Sequence, residues 1–200
     1  MGKIVYIIPG HTEFIRYKRY KKILPLFTSK GFEVVPVEIK WKKHVMTDYV
    51  SQFLKEYKPK KGSYIFGFSF GSMIALISAK KVRPKAIILC SLSPYFKEDI
   101  PEMKRIFGKK LDKYFSKKDF EDLEKCSFRK VVKGVKCKTI LIVGDREIVV
   151  RKKTYSSVLD RSNEAKRLIR GSRLIVVKNG KHDISQKEYH AAIKKVVYKL

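Results

Sequence analysis

Ser69 sits at the centre of Gly67-Phe68-Ser69-Phe70-Gly71, a G-x-S-x-G pentapeptide. A serine hydroxyl is a poor nucleophile at neutral pH, and it attacks a carbonyl only when a neighbouring imidazole takes its proton. That imidazole needs a carboxylate to hold it in the right tautomer and to stabilise the cation that forms. The chain carries residues of all three kinds in polar turns. His182 follows Gly180 in Asn179-Gly180-Lys181-His182-Asp183, and Asp145 and Glu147 lie in Gly144-Asp145-Arg146-Glu147. Of the other histidines, His44 and His190 fall in basic helical stretches and read as solvated, whereas His11, after Pro9-Gly10, lies near the first strand end and can face a site there.

Such groups react only if the surrounding elements bring them together. Before Ser69 runs Ser63-Tyr64-Ile65-Phe66, short, apolar and aromatic, which predicts a buried strand. After it, residues 71–81 start small and end basic, which predicts a helix. A serine in a tight turn between strand and helix projects its hydroxyl outward, and only glycine fits two residues before and two after, where the elements pass close. Apolar runs predict further strands at 3–8, 32–39, 86–91, 138–144 and 172–178, with helices near 13–29, 45–57, 151–169 and 185–199. The runs are continuously apolar rather than alternating, the signature of strands covered on both faces. The expectation is therefore one α/β domain over residues 1–200, a doubly wound, mostly parallel sheet of about six strands flanked by helices. Residues 94–134 carry no strand signal and read as a short helical cap insertion or a long helical crossover. Met103, Ile106, Phe107, Leu111, Tyr114, Phe115, Phe120 and Leu123 form its expected inward face, and Ser116 with Asp119 is placed to cap a helix.

In an open parallel sheet reactive groups belong at the carboxyl ends of the strands. Ser69, the acidic pair and His182 follow three of the expected strands, in the chain order Ser, acid, His. That order, with the serine elbow, closely resembles the α/β-hydrolase family over essentially the whole chain. The resemblance implies a small serine hydrolase, most simply one that cleaves carboxylic esters through an acyl-enzyme. It implies a small ester-like substrate and neither metal nor organic cofactor. Ser69 would be the nucleophile and His182 the base. Gly144-Asp145-Arg146-Glu147, with Val150 beyond, is similar to the family's Gly-x-x-Asp-x-x-Val turn and puts Glu147 at the acid position, where the family usually has Asp. Asp145 is the alternative, and Glu98 or Asp99 after the fourth strand a more remote one. The family's oxyanion hole takes one amide from the residue after the nucleophile, here Phe70, and one from the loop after the first strand. Pro9-Gly10 stands where His-Gly is common, so position assigns the second amide to His11, with Thr12 next in line. Phe68, Phe70, Met73, Tyr95 and Phe96 serve equally as a substrate pocket or as core. The same machinery would hydrolyse thioesters or amides, or transfer the acyl group to another acceptor.

The charge is the second unusual feature. Against 19 acidic residues stand 47 basic ones, a net charge of +28. The basic residues are mostly Lys, spread in pairs such as Lys21-Lys22, Lys80-Lys81 and Lys117-Lys118, with no zinc-finger spacing, basic zipper or RNP-like aromatic signature. Ion-pair networks need both signs, so 19 acids leave most of the bases unmatched. Lysines decorating solvated faces are the simplest reading of this excess, and non-specific attraction to polyanions or acidic membranes is the alternative; a hydrolase-fold chain that binds polyanions without catalysis is the competing function. Cys90, Cys126 and Cys137 form no C-x-x-C pair, and Cys90 lies in an apolar run. These cysteines predict no disulfide and no metal site, consistent with a reducing cytoplasm. No run approaches a membrane span, the first residues read as a core strand rather than a secretory signal, and no obligate protein partner is indicated.

Overall fold

The computed structural model describes residues 2–42, 45–109, 115–147 and 158–200. His44, Leu111, Tyr114, Val150 and the first turns of the helix expected from residue 151 lie outside these, as do the side chains of Ile106 and Phe107. Six strands form one sheet in the order β2-β1-β3-β4-β5-β6. They are β1 (Lys3–Ile8), β2 (Phe32–Pro36), β3 (Tyr64–Phe68), β4 (Ala86–Cys90), β5 (Lys138–Gly144) and β6 (Arg173–Val177). Every neighbouring pair is parallel. The chain moves outward from β1 to β2, then crosses back to β3 and continues the other way. That reversal makes the carboxyl ends of β1 and β3 a topological switch point, where such sheets bind ligands.

Strand side chains alternate between two cores. Tyr6, Ile8, Ile65, Ile87, Leu89 and Leu141 face one layer, built from α2 (Met46–Glu56), α3 (Phe70–Val82), α6 (Phe128–Lys133) and α7 (Val158–Leu168). Val5, Ile7, Phe66, Phe68, Ile88, Cys90 and Ile142 face the other, covered by α1 (Leu24–Thr28) and α8 (Lys187–Val197). Burial on both faces is what makes these runs continuously apolar. Among the described residues no helix is long and apolar enough to cross a membrane.

Two boundaries differ from expectation. The helix expected over 13–29 is a 3-10 turn at Lys18–Tyr20 followed by the short α1, with Pro25 in its first turn. Proline suits a helix start but cannot sit inside one. The strand expected to reach residue 39 ends at Pro36, which has no N–H for the ladder. Residues 94–134 hold α4 (Ile100–Phe107), α5 (Lys117–Leu123) and α6. The α6 helix packs beside α3 in the core, whereas α5 reaches α2, where buried Asp122 accepts from the Thr47 amide (2.9 Å) and hydroxyl. Ser116 caps α5 by accepting from the Asp119 amide at 3.3 Å. Met103 and Leu123 are buried, and Phe115 and Phe120 partly so.

Candidate active site

Ser69 lies between β3 and α3 with φ 56°, in the left-handed region that side chains rarely adopt. Packing fixes it there. A Cβ on Gly67 would lie 2.3 Å from Gly71 O, and one on Gly71 would lie 2.3 Å from Ile8 O. Only glycine allows strand, helix and the end of β1 to close so tightly. The Ser69 amide continues the ladder to Cys90 O at 2.9 Å, and the Ser72 hydroxyl ties Gly67 O (2.7 Å) to Cys90 O (2.8 Å).

Two loops bring the other groups to this turn. The loops after β5 and β6 interlock: the Arg146 amide donates to Gly180 O at 2.9 Å, and the Asp145 amide to Val177 O at 3.1 Å. A Cβ on Gly144 would meet Gly180 O at 2.2 Å, so the glycines let these backbones touch. Asp183, next to His182, accepts from the Ser185 amide and hydroxyl at 2.9 and 2.8 Å, which braces the histidine loop. Burial opposes ionisation of Asp183, yet these bonds and the charges of Arg19 and His182 hold its carboxyl below the usual range.

The resulting line is continuous. His182 Nε2 lies 3.0 Å from Ser69 Oγ, and His182 Nδ1 lies 2.6 Å from Glu147 Oε2. A carboxylate only accepts, so Nδ1 carries the proton and Nε2 is free to accept from the serine. Glu147 is fully buried, whereas His182 is 42% exposed and reachable. Glu147 Oε1 accepts from the Gly144 amide at 2.7 Å and the Ser91 hydroxyl at 2.8 Å. The Phe68 ring packs 5.1 Å from the imidazole.

Of the two acids weighed at this turn, Glu147 is thus the one hydrogen-bonded to His182; Asp145 is exposed. Glu98 and Asp99 serve elsewhere. Glu98 accepts from Ser127 and the amides at the start of α6, and Asp99 pairs with buried Arg161. Around the expected oxyanion hole, neither the Phe70 nor the His11 amide has a hydrogen-bond acceptor among the described residues. Neither does the Thr12 amide, whereas Gly10 N donates to the Tyr20 hydroxyl at 2.9 Å. The His11 ring packs on Phe70 (4.8 Å between centroids) and Trp41 (5.2 Å), joining the β1 loop to the start of α3. Tyr95 continues the aromatic wall from Phe70 to Phe115. Phe68, Met73 and Phe96 are core. His190, half-buried, lies on α8 away from this line.

Three hydroxyls had no signal of their own in the sequence. Ser93 Oγ lies 3.0 Å from Ser69 Oγ, and Ser91 Oγ lies 3.0 Å from the Tyr189 hydroxyl as well as bonding Glu147. The one hint was Ser91 and Ser93, two hydroxyl residues just past the carboxyl end of a fully buried strand. Among the described residues no cluster of His, Cys, Asp and Glu is arranged to hold a metal ion.

No protein-family model and no curated protein sequence matches the chain. Solved structures do match in shape. Est1E from Butyrivibrio proteoclasticus superposes with a TM-score of 0.80 at 15% identity, covering 98% of this chain and 86% of that one. A structure from work on carboxylesterases of the thaumarchaeon Nitrososphaera gargenis gives 0.67 at 20% identity, covering 99% and 92%. The thioesterase domain from the curacin biosynthetic pathway gives 0.63 at 14% identity, covering 98% and 91%. The chain has the α/β-hydrolase fold.

Proposed function

We propose that this α/β-hydrolase-fold chain is a serine hydrolase acting on carboxylic esters, with Ser69 as nucleophile, His182 as base and Glu147 as the acid that orients it. The observation that carries the reading is the unbroken line from Ser69 Oγ through His182 to buried Glu147, 3.0 and 2.6 Å long, on a serine held at positive φ. Hydrolase-fold neighbours that include esterases support it.

Ser69 Oγ bonds to the ester carbon while its proton passes to His182 Nε2. The carbonyl π electrons move onto oxygen, which the Phe70 and His11 amides receive; each such donor is worth about 2.7–4 kcal/mol in the transition state. The Phe70 amide also opens α3, where the macrodipole favours negative charge. The tetrahedral adduct collapses, the C–O bond breaks, and the alkoxide leaves with the proton from Nε2. Water then attacks the acyl-serine with the same proton relay, releasing the acid and restoring Ser69. Throughout, Glu147 stabilises the imidazolium and stays ionised. The acyl-enzyme forms equally from a thioester, and a thioesterase domain shares the fold. The aromatic wall of Trp41, Phe70 and Tyr95 favours an apolar acyl or alcohol group.

The test is labelling by a fluorescent fluorophosphonate, with wild type beside Ser69→Ala and His182→Ala. Labelling of wild type that both substitutions abolish is expected. A folded wild type that stays unlabelled overturns the reading and brings polyanion binding forward.

A further inference from the structure

The amino ends of β4 and β5, opposite the sheet edge that carries Ser69, hold a groove of about 600 Å³. It is lined by Lys80 and Arg83 from the end of α3, and by Lys130, Lys133 and Lys136 from α6 and the turn after it. No carboxylate lines it, and none of the five cations has an ion-pair partner among the described residues. Helix dipoles account for only part of this charge. The ends of α3 and α6 both face the groove, and each is equivalent to roughly half a negative charge. Five cations against about one negative charge leave an excess of about four positive charges in one concavity. Scattered solvated lysines avoid such convergence, because like charges at short range repel. Here the fold enforces it. The Lys80 stem lies across Gly134, where a Cβ would meet Lys80 Cδ at 3.0 Å, so the glycine makes room for the lysine inside the groove.

We propose that this groove binds a linear condensed phosphate, a chain of phosphates held by charge, at a site separate from the hydrolase centre. The excess positive charge calls for a ligand with several anionic groups in a short span. The lining holds no aromatic side chain on which a nucleobase could stack, which disfavours single-stranded nucleic acid. Four lysines present point charges suited to phosphate oxygens in any orientation, and one arginine adds a bidentate fork.

Cys137 also lines the groove and reports on its occupancy. It is half-buried, whereas the other two described thiols, Cys90 and Cys126, are buried. The experiment follows maleimide modification of Cys137, by mass of the chymotryptic peptide that contains it, with inorganic tripolyphosphate, orthophosphate or a single-stranded oligonucleotide added to the folded protein. Tripolyphosphate is expected to slow the modification several-fold at low salt, with protection fading as salt rises. Titration is then repeated on Lys130→Glu/Lys133→Glu and on Lys21→Glu/Lys42→Glu, which carries the same charge change on exposed residues elsewhere. The groove variant should bind tripolyphosphate roughly tenfold or more weakly, and the control variant close to wild type. Thermal melts and fluorophosphonate labelling check that both variants keep the fold. The proposal is overturned if tripolyphosphate leaves Cys137 unprotected. It is likewise overturned if both variants lose affinity equally, which marks a diffuse surface effect, or if the oligonucleotide protects Cys137 better than tripolyphosphate does, which makes the groove a nucleic-acid site.

Discussion

The Ser91 hydroxyl donates across 2.8 Å to Glu147, a carboxylate wholly shut off from solvent. Ser91 is itself held at φ 54°, and its amide donates to Ile142 O at 2.7 Å, so the donor is fixed by the sheet rather than by a mobile loop. Tyr189 on α8 reaches the same hydroxyl. The acid that faces His182 is thus braced from β4, from the Gly144 amide and, at one remove, from the far helix layer. Ser91→Ala strips one donor from a buried acceptor. It should cost about 1–3 kcal/mol of stability and lower kcat by about tenfold as Glu147 loses its alignment. Denaturant melts and ester turnover read both, and unchanged values in each would show that Ser91 does not hold the acid.

The two carboxylates of the β5 turn should behave in opposite ways. Glu147→Gln keeps the shape but offers an amide where Nδ1–H needs an acceptor, and should lower kcat roughly 10³–10⁴-fold. Asp145→Asn touches an exposed group and should leave kcat within about twofold. Steady-state kinetics on a chromogenic ester separates them. A large loss in Asp145→Asn with none in Glu147→Gln would reverse the assignment.

Ser93 bears on the proposed nucleophile directly. If Ser69 gives its proton to His182, the Ser93 hydroxyl, 3.0 Å away, donates to Ser69 Oγ and helps hold it on line. A neutral hydrogen bond of this kind is worth about 0.5–1.5 kcal/mol. Ser93→Ala should therefore slow fluorophosphonate labelling by about two- to tenfold, measured as the rate at saturating probe. Loss on the scale of Ser69→Ala would instead make Ser93 part of the reacting machinery.

Gly71 tests the close approach that shapes the turn. With a Cβ 2.3 Å from Ile8 O and 2.5 Å from Pro9 O, Gly71→Ala must push α3 off the end of β1. Overpacking of this sort costs about 1–3 kcal/mol or more, and the displaced Phe70 amide should take labelling down with it. A variant with wild-type melting temperature and labelling would mean the backbone yields more easily than the contact implies.

How much of this was legible follows from which interactions are local. The sheet could be read because strands covered on both faces leave continuous runs such as Ala86-Ile87-Ile88-Leu89-Cys90. The serine elbow could be read because close backbone approach demands glycine at both Gly67 and Gly71; Gly67 meets Gly71 within the turn and Gly71 meets the distant end of β1, yet both demands are written within one pentapeptide. Choosing Glu147 over Asp145 needed the resemblance, since two acids two residues apart look alike until the backbone turns one inward. Ser91 and Ser93, just after β4, and Tyr189, inside α8, stayed invisible because a single hydroxyl carries no pattern. Their partners lie 56, 24 and 98 residues away in sequence. The cationic groove was hidden for the same reason: Lys80 and Lys133 belong to different helices, and composition counts lysines without placing them.

His11 offers a test by pH. Its residue is exposed overall, but its ring lies against Phe70 and Trp41, and this partial burial disfavours the imidazolium. Burial lowers its pKa from 6.5, with the Asp119 carboxylate pulling weakly the other way. Between the folded pKa and 6.5 the unfolded chain binds more protons than the folded one, so stability rises with pH across that window. The stabilisation is complete above 6.5 and is progressively lost as pH falls towards the folded value. The other histidines titrate in both wild type and His11→Gln, so the difference between the two isolates this residue. Melting temperatures from pH 7.5 down to 5, a range about the usual histidine pKa, should fall more steeply for wild type than for His11→Gln. Parallel curves would mean that the ring is as well solvated in the folded protein as in the unfolded chain, and that its packing on Phe70 does not keep the imidazole neutral beside the proposed oxyanion site.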